Sequence, residues 1–117
     1  MILPNPRGPV KVPVFRGTFQ GQVFSGDDLD PVLTTFKENE KGELSGLYAM
    51  EEEEGLEEGQ LSEFTWETPY VLKCRWKDKY GDGTLRMLFS AQHAMFQGFW
   101  GESDDKTFFP WSGVKQE

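Results

Sequence analysis

One short unit recurs through this 117-residue chain: an apolar residue, any residue, glycine, any residue, then an aromatic or β-branched residue. It runs Phe15-x-Gly17-x-Phe19 and straight on as Phe19-x-Gly21-x-Val23. It returns as Leu44-x-Gly46-x-Tyr48 and Phe96-x-Gly98-x-Trp100, with a trace in Trp111-x-Gly113. In a strand, residues two apart share a face, so each unit sets a glycine between two large side chains on one face. Glycine inside a strand marks a bend, a bulge or a close approach by another element. Repeated around a sheet, the pattern predicts a small curled barrel whose interior must accommodate rings.

The rest of the chain alternates in the same way. From residue 14 onward it reads as eight strands joined by short turn-rich links. Val14–Phe24 sets Phe15, Gly17, Phe19, Gly21 and Val23 against Arg16, Thr18, Gln20 and Gln22. Val32–Glu38 turns Val32, Thr34 and Phe36 to one face, and Glu43–Glu51 turns Leu44, Gly46, Tyr48 and Met50 inward. Gln60–Thr68 groups Ser62, Phe64, Trp66 and Thr68 against Leu61, Glu63, Thr65 and Glu67. Tyr70–Lys77 alternates without exception, with Tyr70, Leu72, Cys74 and Trp76 facing one way. Thr84–Ser90, Ala94–Glu102 and Thr107–Lys115 complete the set.

Sequential strands with hairpin-length links form an all-β, antiparallel up-and-down meander, and closing it into an eight-stranded barrel removes exposed edges. A β-sandwich is the alternative that the same alternation would serve. Residues 1–13 hold four prolines and read as an extended lead-in, leaving 14–117 as a single β-barrel domain.

Composition narrows the function classes. A net charge of −8 argues against nucleic acid, whose phosphates call for a basic stripe. No apolar run is long enough for a membrane span, and no signal-peptide core follows Met1, so a natural start at Met1 implies a cytoplasmic protein. Cys74 is the only cysteine, which excludes an intramolecular disulfide and a cysteine-rich metal site. It falls in the inward phase of its strand and reads as a core residue. His93, the only histidine, has no neighbouring nucleophile or metal-ligand spacing and reads as a loop residue without a special role. Glu51–Glu54 with Glu57 and Glu58, and Asp27, Asp28 and Asp30, read as two solvated acidic turns, because consecutive acids do not converge on a cation. No metal and no cofactor are expected.

At Glu43–Met50 (ELSGLYAM), Phe96–Gly101 (FQGFWG) and Trp111-x-Gly113 the strand grammar resembles that of avidin-like barrels, and lipocalin-like barrels are similar at the same level. The resemblance implies an eight-stranded barrel with a ligand mouth at one end, and often an oligomer. The polar set with which avidins hold their ligand has no match here, so a biotin site is not implied.

Candidate binding residues are the inward aromatics: Tyr48, Trp66, Tyr70, Trp76, Trp100 and Trp111. They either line a pocket for a small ligand or fill the barrel. A second candidate surface comes from the last two strands, which are apolar on both faces. Met95, Phe99 and Phe108 take the outward phase, and a barrel wall of that kind calls for a cover: the lead-in, or a second copy in a homodimer. No catalytic residues stand out. The expected function is a binding module for a small neutral apolar ligand or a protein partner. A filled barrel acting only through its surface is the alternative, and an enzyme using surface carboxylates comes third.

Overall fold

The computed structural model describes residues 15–116; the proposed lead-in, residues 1–13, lies outside them. The described chain is all-β. Its strands are β1 (Gly17–Ser25), β2 (Asp28–Glu38), β3 (Leu44–Glu52), β4 (Gly55–Thr68), β5 (Val71–Asp78), β6 (Gly81–Phe89), β7 (Met95–Gly101) and β8 (Thr107–Lys115). Each pairs antiparallel with the next, and β8 returns to β1 through Phe19 opposite Lys115, Gln20 opposite Val114 and Val23 opposite Trp111. The result is a closed, eight-stranded up-and-down barrel, and the sandwich alternative falls away.

The alternation of the sequence becomes the inside and outside of the barrel. Phe19 and Val23 of β1, Val32, Thr34 and Phe36 of β2, and Tyr48 and Met50 of β3 are buried. So are Leu72, Cys74 and Trp76 of β5, Leu85, Met87 and Phe89 of β6, Phe96 of β7 and Trp111 of β8. Cys74 lies in this core, and burial pushes its thiol well above its ordinary range.

One strand departs from a single phase. In β4, Ser62 stands opposite Arg75 and Thr65 opposite Lys73, so one extra residue is inserted, and Glu63 takes a φ of 56° there. A bulge of this kind flips which face each following residue serves. Ahead of it Gly59 and Leu61 face the core; beyond it Phe64 packs against the core. The outward assignment of Leu61 is therefore corrected. A second irregularity, where Trp100 pairs with Phe109 and Gly101 with Thr107, leaves Phe108 without a partner.

Because the strands run up and down, alternate links share an end. The β1–β2, β3–β4, β5–β6 and β7–β8 links gather at one end, and the β2–β3, β4–β5 and β6–β7 links at the other.

The second end is closed by rings. Phe15 packs edge-on against Phe89 at 5.3 Å and against Trp66 at 5.3 Å, and lies 5.1 Å from Phe36. His93 caps the group, stacked on Tyr70 at 5.6 Å and edge-on to Trp66 at 5.5 Å, with its Nε2 3.0 Å from the Pro69 carbonyl oxygen. The loop histidine thus has a structural role that its sequence context does not suggest.

Candidate functional site

The first end is open. Below its turns lies a cavity of about 560 Å³, within the roughly 300–1,000 Å³ of small-molecule sites. Its inner wall is Tyr48 from β3, Trp76 from β5, Trp100 from β7 and Trp111 from β8, with Val23 and Met50 between them and Phe24 and Tyr80 nearer the solvent. Four of the six aromatics expected inside are therefore brought together here. Trp66 and Tyr70 are not. Trp66 belongs to the closed end, and Tyr70 sits in the β4–β5 turn, 43% exposed, as part of the cap. The strand that should have carried Tyr70 inward begins at Val71.

Two glycines seat the wall. A Cβ on Gly59 would land on the Tyr48 ring, and one on Gly83 would meet the Trp76 indole nitrogen at 2.7 Å. Neither belongs to the recurring glycine unit; one stands beside the acidic run and the other in Gly81-Asp82-Gly83. The rings they admit then lock against one another. Tyr48 and Trp111 meet edge-on at 4.8 Å, Trp76 and Trp100 edge-on at 5.3 Å, and Trp100 lies 4.8 Å from Phe109. Such pairs add to the burial of the rings themselves.

The polar hydrogens of these rings are all committed to the barrel. Trp76 Nε1 donates to the Gly101 carbonyl at 3.1 Å, Trp100 Nε1 to the Phe24 carbonyl at 2.9 Å, and Trp111 Nε1 to Thr34 Oγ1 at 3.0 Å. Tyr48 Oη donates to Asp78 Oδ2 at 2.6 Å. Burial first, and then this bond, raise the Tyr48 phenol far above its ordinary pKa, so it remains a donor. Tyr80 Oη donates to Glu52 Oε1 at 3.0 Å. What the wall offers a ligand is therefore apolar ring surface, chiefly that of the half-buried Trp100, and not N–H or O–H groups.

The rim is acidic. The inward phase of β2 that carries Val32 and Thr34 continues through Asp30 to Asp28; that of β3 runs from Met50 to Glu52, and that of β5 from Trp76 to Asp78. Glu53 and Glu54 fill the β3–β4 turn above them. Among the described residues none of these six carboxylates is ion-paired: the pairs are Lys73–Asp104, Arg75–Asp82, Lys79–Glu57 and Arg86–Glu67. Asp30 shows the strain of this crowding. Desolvation first, then Glu52, Asp28 and Glu53, raise its carboxyl above the usual value of 3.8. The two acidic segments, read from the sequence as solvated turns, are mostly exposed, and the barrel brings them together at one mouth. Among the described residues, no three acidic, histidine or cysteine side chains converge on a position that could hold a metal ion.

On the outer wall, Met95, Phe99 and Phe108 are exposed, as are Leu88 and Val114. Met95 stands opposite Val114 and Phe99 opposite Pro110, while Phe108 lies at the bulge without a partner on β7.

No family model, curated protein or solved structure matches the chain. The fold defines the class, a closed antiparallel meander barrel, and the reading of its function rests on the cavity.

Proposed function

We propose that this protein is a binding module that takes a small ligand with an apolar, ring-sized body into the open end of its barrel. The observation that carries the reading is the cavity of about 560 Å³ walled by Tyr48, Trp76, Trp100 and Trp111. Aromatic walls held rigid by their own hydrogen bonds lose little freedom when a ligand arrives, and so lower the cost of binding. The likeness in strand grammar to avidin-like and lipocalin-like barrels supports a mouth of this kind by analogy of fold, and carries no ligand identity with it. Catalysis is a weaker reading, because neither the single histidine nor the single thiol lines the cavity.

The test uses N-phenyl-1-naphthylamine, a neutral probe that fluoresces in apolar surroundings. It should bind the native protein, quench tryptophan emission and raise the melting temperature, since binding selects the folded state. Trp100→Leu should weaken it, while Leu88→Ser on the outer wall should not. Absence of any fluorescence gain or thermal shift would leave the barrel a scaffold that acts through its surface.

A second reading concerns that surface. The exposed Leu88, Met95, Phe99 and Val114 favour a homodimer through the β6–β8 wall, a two-fold pair being the commonest cover for such a face. Sedimentation should give a dimer that Phe99→Glu splits; a monomer in both cases removes this reading.

A further inference from the structure

The chemistry of the cavity specifies the charge of what it takes. We infer that the open end of the barrel is a site for a small organic cation, an amine or quaternary ammonium carried on an apolar body. The inference rests on the binding reading above and differs from the neutral ligand that the sequence suggests.

Three observations converge. First, the cavity has room for an apolar body against the half-buried Trp100, beside the more deeply buried Trp76 and Trp111 that also line it. An aromatic face is electron-rich, and a cation within about 6 Å of the ring centre is attracted to it. Second, the indole N–H groups and the tyrosine hydroxyls of the wall are already donated to the Gly101 and Phe24 carbonyls, to Thr34, and to Asp78 and Glu52. An anionic or acceptor-rich ligand would find these donors taken. Third, apart from the Ser25 hydroxyl, the side-chain polar groups that remain are acceptors: the carboxylates of Asp28 and Asp30, and the spare lone pairs of Glu52 and Asp78, which already accept from Tyr80 and Tyr48, with no described cation paired to any of the four.

A ligand that brings donors and positive charge satisfies what the site leaves open. Within the turns at this end the basic residues are Lys79 and Lys106, and Lys79 is held by Glu57 at 3.3 Å. The mouth is therefore negative as a whole, and such a mouth concentrates cations ahead of contact. A metal ion fits less well, because the carboxylates ring the rim without converging. A large, diffuse organic cation needs no such convergence: its apolar body takes the rings and its charge takes the rim.

The experiment is a calorimetric titration of the whole protein with three probes of one shape: phenethylamine, phenethyl alcohol and 3-phenylpropionate. The amine should bind about tenfold tighter than the alcohol, and the carboxylate should be weakest. The preference should shrink as salt is raised. It should also collapse, the amine losing more affinity than the alcohol, in an Asp30→Asn/Glu52→Gln variant that melts as a folded protein. A Glu53→Gln/Glu54→Gln variant provides the same reading should the first pair misfold.

Equal or tighter binding of the alcohol or the carboxylate would overturn the cationic assignment while leaving the cavity reading standing. A preference that survives both acid replacements would overturn it too, since the rim would not be its cause. If none of the three binds but N-phenyl-1-naphthylamine does, the assignment fails alone. If that probe also fails to bind, the cavity reading goes with it.

Discussion

At the closed end the inward side chains of β1, β2, β6 and β7 are Phe19, Phe36, Phe89 and Phe96, packed edge-on and roofed by Phe15, Trp66 and His93. At the open end the inward positions of β2, β3 and β5 run on from apolar residues into Asp30, Glu52 and Asp78. The same eight strands thus carry a filled half and a hollow one. The filled half removes apolar surface from water, the main favourable term in folding. The hollow half keeps arrangements that folding alone would not choose: a half-buried Trp100 and like charges side by side. A barrel can carry such a mouth because its other end supplies the stability, the usual division between scaffold and site.

The largest expected effect tests that division directly. Phe89→Ala should cost about 3–5 kcal/mol in a denaturant titration, because the phenyl ring is buried among rings that cannot collapse into the space. Truncating Trp100, a larger side chain but one that borders the cavity, should cost less. Equal losses would mean that the two ends are equally packed, and the contrast would fail.

Next comes the seating of the wall. Gly59→Val places atoms where the Tyr48 ring lies, so the ring or strand β4 must shift, at about 1–3 kcal/mol. The near-ultraviolet circular dichroism of the aromatic wall should change with it. An unaltered spectrum and stability would show that Tyr48 has free space beside it.

A smaller loss follows from Tyr48→Phe, which removes the bond to Asp78 and should cost about 1–2 kcal/mol at neutral pH. It also carries a pH signature. The folded state holds the Tyr48 proton above its ordinary value of 10.0 and the Cys74 proton above 9.0. Both contributions are fully present below those values and are lost as pH rises beyond them, because only the unfolded chain can ionise. Stability should therefore fall from about pH 9 upward, and less steeply above pH 10 in Tyr48→Phe. A wild type with flat stability to pH 11 would contradict the burial of both groups.

The contrast between the ends was only partly legible in the sequence. Strict alternation marks the eight strands, their antiparallel order and the inward phase of Tyr48, Trp76 and Trp111. Trp66 and Tyr70 share that phase but belong to the opposite end, because alternation reports which face a residue serves and not how far along the barrel it sits. The bulge at Glu63 has no marker either, since a non-glycine residue occupies its positive φ. The acidic stripe was hidden for a different reason. Acids are poor strand formers, so the predicted strands stop where Asp28, Asp30 and Glu52 begin, whereas the paired ladder carries β2 and β3 through them. A signal is present nonetheless. In an up-and-down barrel alternate links share an end, and the links around Asp27, Glu53, Lys79 and Asp104 are, with their neighbours, the acid-rich ones.

The smallest effect is the one that separates the two kinds of charge. Asp30 at the mouth has a raised carboxyl pKa, with desolvation and its acidic neighbours as the causes. Its ionised form therefore weighs against folding at neutral pH; the cost is absent below 3.8 and grows as pH rises through the folded value. Glu67, ion-paired to Arg86 at 2.8 Å on the outer wall, has a lowered pKa, with the Arg86 hydrogen bond as the chief cause. Its contribution is present above 4.5 and is lost as pH falls through the folded value. Asp30→Asn should then raise the melting temperature at pH 7 and low salt by roughly 1–3 °C, while Glu67→Gln should lower it by a similar amount. Both shifts should shrink in high salt, which screens exposed charges. A fall in melting temperature with Asp30→Asn would mean that Asp30 has a stabilising partner, and that the acids of the mouth are held together by something other than the fold beneath them.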